Sequence, residues 1–157
     1  MRRALLILGF WLAAQPAAEA GVRGALADRL ARAQAEGTVE RTIAVGESRR
    51  SYRLPLPAQQ PAGPLPLVLD FHGYGFSAAR EEALTGFSAL ADREGFAVAY
   101  PQADGKAWRA FGGSDDDLAY LRALLADAAT AAAVDPARIY ATGISNGAQM
   151  TLAAACG

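Results

Sequence analysis

Apolar and polar positions along the chain predict three buried strands that alternate with helices. Nearly continuous apolar runs, which a parallel strand buried on both faces requires, occur at residues 67–71, 96–102 and 138–145. Residues 79–94 and 114–134 instead repeat apolar side chains at spacings of three and four, the period of a helix with one buried face. A further helix is predicted from Asn146 onward, directly after the third strand.

An antiparallel hairpin is predicted ahead of this alternation. Residues 38–45 are rich in β-branched side chains, residues 46–48 form a turn, and residues 50–57 alternate with prolines that favour a sheet edge. A hairpin followed by repeated strand–helix units predicts an α/β fold with a mostly parallel sheet and helices on both faces. In such sheets the active groups gather beyond the carboxyl ends of the strands.

The first residues have the pattern of a secretory signal peptide. Arginines at positions 2 and 3 are followed by an apolar run over residues 4–14 and by a small-x-small sequence at residues 18–20. The alternative is a membrane anchor, but this run is shorter than the roughly 20 residues that cross a bilayer. We therefore expect a signal peptide at 1–20, a lead-in segment at 21–37, an α/β domain at 38–157 and a secreted product, extracellular or periplasmic, with no membrane attachment after cleavage.

The amino-acid composition limits the kinds of partner that the chain is expected to bind. The 157 residues include 15 basic and 16 acidic side chains, a net charge of -1, so we expect no electrostatic attraction to nucleic acid or to anionic membranes. We find no metal-ligand spacing and no glycine loop suited to phosphate, and we expect no metal or cofactor. The single cysteine, Cys156, is either a small buried side chain or a thiol whose partner lies outside this chain.

Gly143-Ile144-Ser145-Asn146-Gly147 has the Gly-x-Ser-x-Gly spacing of a strained strand-to-helix turn that exposes a nucleophilic serine. The glycines remove side chains where the backbone turns and where helix and strand pack. The motif alone is weak, but a buried strand precedes it and a helix follows it. Ser145 is therefore the candidate nucleophile; the alternative is a serine in an ordinary loop.

The sequence His72-Gly73-Tyr74-Gly75 follows the 67–71 strand and predicts an oxyanion loop. A tetrahedral oxyanion needs two fixed amide donors, and we assign these to the Tyr74 and Asn146 backbone amides. The alternative is a glycine-rich turn without function.

His72, the only histidine, opens the predicted oxyanion loop, so we assign it and Gly73 to the support of that loop rather than to general-base catalysis. Acidic side chains at 115–117 are explained by helix capping, Asp70 by a structural bond, and Asp104 by solvent exposure. Trp108 and Phe111 either line a pocket or pack in the core. The chain thus supplies a nucleophile and an oxyanion hole, but no base or acid after Ser145.

The linked motifs DFHGYG, REGFAVAYPQ, DDLAYLRALL and VDPARIYATGISNGAQMT resemble the secreted polyhydroxybutyrate depolymerase and feruloyl/acetylxylan esterase group of the α/β-hydrolases, over about residues 40–157. The resemblance implies a serine esterase without cofactor, acting on a polyester or a plant cell-wall ester. It maps the oxyanion donors to Tyr74 and Asn146 and the nucleophile to Ser145, and it implies a disulfide at Cys156.

Family members continue for roughly another hundred residues, which carry the catalytic Asp and His. We therefore expect this chain to be the N-terminal part of an α/β-hydrolase fold, inactive by itself. Two alternatives stay open: a non-catalytic or degenerate hydrolase-fold binding protein, and a serine peptidase of the same fold.

Overall fold

The computed structural model describes Gly24 and residues 38–58, 62–110 and 115–156. The predicted signal peptide and nearly all of the predicted lead-in segment lie outside these residues. The strands are β1 (Val39–Val45), β2 (Ser48–Leu54), β3 (Leu65–Phe71), β4 (Ala97–Pro101) and β5 (Val134–Gly143). The helices are α1 (Ala78–Thr85), α2 (Phe87–Glu94), α3 (Asp116–Ala131) and α4 (Asn146–Cys156). None of the described helices is both long and apolar enough to cross a bilayer.

The five strands form one sheet in the order β1-β2-β4-β3-β5. β1 and β2 make the predicted antiparallel hairpin, and β2 also pairs antiparallel with β4. β3 runs parallel to both β4 and β5. Because these three strands point the same way, the segments that follow them emerge at one edge of the sheet.

Helices cover both faces of the sheet, as the alternation predicts. On one face, α3 and α4 pack against alternate residues of β3; this core includes Leu67, Leu69, Phe71, Tyr120, Leu124 and Met150. On the other face, α1 and α2 pack with Ala78 and Ala91 against Val98 and Tyr100. The predicted α/β architecture, a hairpin followed by parallel strands with helices on both faces, is therefore confirmed.

Three predicted elements differ in detail. β2 spans Ser48–Leu54 rather than residues 50–57, so it starts within the predicted turn and ends before Pro55. The single helix predicted at 79–94 is two helices, because Gly86 adopts a left-handed conformation (φ 68°) that ends α1 and begins α2. β5 begins at Val134 rather than at residue 138, and it is not the buried strand that the sequence predicts: none of its residues is buried, because it lies at an edge of the described sheet. Its register with β3 shifts between Val134 and Ile139. Asp135 and Pro136, which directly follow the predicted 114–134 helix, therefore lie in an irregular part of the strand.

Asp117 corrects the prediction that the acidic run only caps α3. Its buried carboxylate accepts hydrogen bonds from the Arg50 guanidinium at 2.8 Å and from the Arg109 backbone amide at 2.7 Å. Arg50 also lies 4.1 Å above the ring of Tyr120. Asp115, at the N-cap position, makes no side-chain capping bond. The Arg50–Asp117 pair therefore joins β2 to α3, and Asp117 also holds the loop after β4 through Arg109.

Candidate active site

Ser145 occupies the sharp turn between β5 and α4. Its φ is 55°, and no other non-glycine residue in the described segments has a positive φ. A left-handed conformation costs an ordinary L residue about 1–2 kcal/mol, so the surrounding packing must hold it. The side chain is exposed at the carboxyl edge of the sheet, where the sequence predicts a strained, accessible serine.

Gly143 and Gly147 allow the turn to lie directly against the end of β3. A Cβ on Gly143 would come within 2.8 Å of the Phe71 carbonyl oxygen, and one on Gly147 would overlap that same oxygen. Real Cβ atoms do not approach backbone this closely, so both positions require glycine.

The segment from His72 to Gly75 leaves β3 and lies beside this turn. A Cβ on Gly73 would sit 3.4 Å from Ile144 Cγ2 and 3.8 Å from Ser145 Cβ, which places the two segments in contact. The Tyr74 side chain is 64% exposed. Among the described residues, the backbone amides of Tyr74 and Asn146 donate to no acceptor. Both amides are thus free to bind an incoming ligand oxygen.

His72 is fully buried behind this segment, and both of its ring nitrogens have partners. Nε2 accepts a hydrogen bond from the Ala103 amide at 3.1 Å. The ring proton is therefore assigned to Nδ1, which donates to the Gly73 carbonyl at 2.9 Å. With Nε2 accepting and Nδ1 donating, the ring carries one proton and has no free lone pair to accept a proton from Ser145. Burial lowers the pKa of the imidazole, which favours the same neutral form.

Trp108 packs in the core, the second of the two roles that the sequence leaves open. It is 3% exposed, and its ring meets Phe71 edge-on at 5.3 Å and stacks on Tyr120 at 6.5 Å between centroids. The indole Nε1–H donates to the His72 carbonyl at 2.9 Å. Phe111, its predicted companion, lies outside the described residues.

The Asn146 side chain joins the serine turn to the Trp108 backbone. Its Oδ1 accepts from the Trp108 amide at 2.7 Å, and its Nδ2 donates to the Trp108 carbonyl at 3.2 Å. This reciprocal pair was not predicted from the sequence. The partners are 38 residues apart, and no local pattern signals such a contact.

Two buried carboxyl groups, Asp70 and Glu81, lie behind the His72–Gly75 segment. Each residue is 1% exposed, and each has one oxygen without a hydrogen-bond partner among the described residues. Burial, and secondly the charge of Asp70, raise the pKa of Glu81 to about 7, while a hydrogen bond from the Gly73 backbone opposes this rise. Burial also raises the pKa of Asp70, partly offset by the Thr85 hydroxyl. The structural bond predicted for Asp70 is thus incomplete, and Glu81 was missed.

Cys156 is exposed near the end of α4, so the interpretation of a buried side chain is wrong. No set of three metal-ligating side chains clusters in the described segments. The site therefore combines an exposed, strained serine with two open amides and a neutral, occupied histidine.

Comparisons with known proteins identify the family of this chain. The sequence model of the family described as esterase PHB depolymerase matches residues 50–156. NocK of Nocardia uniformis subsp. tsuyamanensis, which carries an esterase assignment, is 36% identical over 124 residues, 73% of this chain. The chain spans 36% of the length of NocK.

Solved structures show the same fold. The acetyl xylan esterase from Aspergillus awamori superposes with a TM-score of 0.67 at 17% identity, over 76% of this chain and 46% of that one. EstE1, a thermostable carboxylesterase cloned from a metagenomic library, superposes with a TM-score of 0.58 at 24% identity, over 90% of this chain and 49% of that one. The chain thus spans about half the length of these structures.

Proposed function

Because the chain belongs to the esterase PHB depolymerase family, we propose that it forms part of a secreted serine hydrolase that cleaves carboxylic esters. The observation that carries the proposal is the left-handed Ser145 between two obligatory glycines, beside the open amides of Tyr74 and Asn146. The signal-peptide pattern at 1–20 supports secretion, and residues 38–157 contribute the hydrolase domain. The NocK assignment and the family description support an ester as substrate.

In the proposed reaction, Ser145 Oγ attacks the ester carbonyl carbon and loses its proton to a general base. The carbonyl oxygen becomes an oxyanion held by the Tyr74 and Asn146 amides. Collapse of this intermediate releases the alcohol, which takes the proton, and leaves an acyl group on Ser145. Water then attacks the acyl-enzyme by the same route, releasing the acid and restoring the serine.

The general base is proposed to be a histidine outside this sequence, oriented by a carboxylate. The support is the state of His72, whose two nitrogens are already bonded to the Ala103 amide and the Gly73 carbonyl. His72 instead supports the loop that presents the Tyr74 amide.

Fluorophosphonate labelling and hydrolysis of p-nitrophenyl butyrate test these roles in the 157-residue chain and in the same chain extended by its downstream reading frame. The extended protein should react and should lose all activity in Ser145→Ala. His72→Ala should lose at most the roughly 100- to 1000-fold that the loss of one oxyanion donor costs. The short chain should show no turnover.

Turnover by the short chain that disappears in His72→Ala would identify His72 as the base and overturn the assignment. A stop codon directly after codon 157 would favour a non-catalytic binding protein. Cleavage of peptide but not ester substrates by the extended protein would favour a peptidase.

A further inference from the structure

The loop that follows β4 is hydrogen-bonded to both of the segments that carry the proposed oxyanion donors. On the side of Tyr74, the Trp108 indole donates to the His72 carbonyl at 2.9 Å, and the Gly75 amide donates to the Lys106 carbonyl at 2.7 Å. On the side of the serine turn, the same loop is bound by the Asn146 side chain at 2.7 and 3.2 Å. One short loop therefore spans the two segments that carry the donors.

We propose that the Asn146 side chain, acting through Trp108, is a positioning group that fixes the distance between the two oxyanion donors. This inference rests on the proposed function, since it assigns a role within that site. It separates two tasks of one residue: the Asn146 backbone amide faces the substrate oxygen, and its side chain holds the loop that supports the other donor.

The chemistry of the contact favours asparagine. A carboxamide carries one acceptor and two donor hydrogens on a short stem, so it can bind the amide and the carbonyl of one residue at once. Aspartate could accept from the Trp108 amide but could not donate to its carbonyl. Asn146 Nδ2 also donates to Gln149 Oε1 at 3.0 Å on the exposed side, so both polar atoms of this side chain are hydrogen-bonded.

Burial makes the contact stiff. Trp108 is 3% exposed and is fixed by the rings of Phe71, His72 and Tyr120. The Trp108 backbone therefore cannot shift without moving the core. A group that is hydrogen-bonded to this backbone is held in place in the same way. A preorganised donor pair stabilises charge that develops in the transition state without reorganisation during the reaction.

Asn146→Ala removes the side chain and leaves the backbone donor in place. Gln149→Ala is the matched control, because it removes the exposed partner of Asn146 and leaves the Trp108 contact intact. In the extended protein, Asn146→Ala should lower kcat by about 10- to 100-fold with little change in KM, below the cost of a lost donor. Affinity for a boronate, which mimics the tetrahedral intermediate, should fall by a similar factor. Gln149→Ala should match the wild type.

A second measurement does not depend on activity. Hydrogen exchange of the Trp108 backbone amide in the 157-residue chain should be at least about 10-fold faster in Asn146→Ala than in the wild type or in Gln149→Ala, because a broken hydrogen bond loses its protection. An inactive wild-type extended protein would refute the proposed function. The hydrogen-exchange result alone would then show whether the Asn146 side chain holds the Trp108 backbone. Unchanged exchange, unchanged kcat, or equal losses in substrate and boronate affinity would each overturn the positioning role.

Discussion

Among single residues, Glu81 is a buried titratable group, and the charge of Arg80 offsets the effect of its burial only in part. Its pKa is raised from an ordinary value of 4.5 to about 7, first by burial and then by the charge of Asp70. The folded protein therefore binds this proton more tightly than the unfolded chain does. By linkage, the free energy of unfolding decreases as the pH rises from about 4.5 to about 7.

Glu81→Gln removes the titration while it keeps the shape of the side chain. The stability of this variant relative to the wild type should therefore increase across pH 4.5–7 and then level off. Urea unfolding at several pH values measures the difference, with Glu94→Gln, an exposed glutamate on α2, as the control. A difference that does not change with pH would show that the Glu81 proton is bound equally in both states.

At the scale of elements, the packing of α4 on the end of β3 sets the position of the proposed nucleophile. Gly147→Ala would drive a methyl group into the Phe71 carbonyl, and backbone cannot yield as a flexible side chain would. We expect a loss of about 1–3 kcal/mol in the free energy of unfolding, as overpacking generally costs. Gly73→Ala is the control, since its Cβ would meet Ile144 at an ordinary 3.4 Å. Equal stability of the two variants in urea would contradict this packing.

The elements themselves could be predicted because their signals are local. Apolar runs identified the strands β3, β4 and β5, although the predicted burial of β5 was wrong, and the glycine spacing around Ser145 marked the turn. The left-handed Gly86 that divides the predicted 79–94 helix was missed because a glycine inside a periodic pattern is also tolerated in a continuous helix. The Asn146–Trp108 pair and the Arg50–Asp117 pair join residues 38 and 67 positions apart. Such contacts depend on the tertiary fold, and no periodicity encodes them.

At the scale of the whole molecule, the described part of the sheet leaves β5 paired on one side only. β3 is its sole neighbour among the described strands. Large apolar side chains are exposed along β5, in the turn and on α4: Tyr140 at 56%, Ile144 at 51% and Leu152 at 62%. An unpaired strand edge with apolar side chains invites pairing with another chain.

We therefore expect the 157-residue chain to self-associate through β5, with an associated fraction that increases with protein concentration. Tyr140→Lys places a charge on that strand, and an edge lysine opposes strand addition, so the variant should sediment more slowly and aggregate less on heating. Val39→Lys makes the same change at a similarly exposed position (49%) on β1, the opposite edge of the sheet. Sedimentation velocity across a concentration series should show that only the β5 variant shifts the population toward monomer. If both lysine variants acted alike, general charge would account for the effect. If the wild type remained monomeric at every concentration, the prediction that the exposed edge of β5 mediates self-association would be wrong.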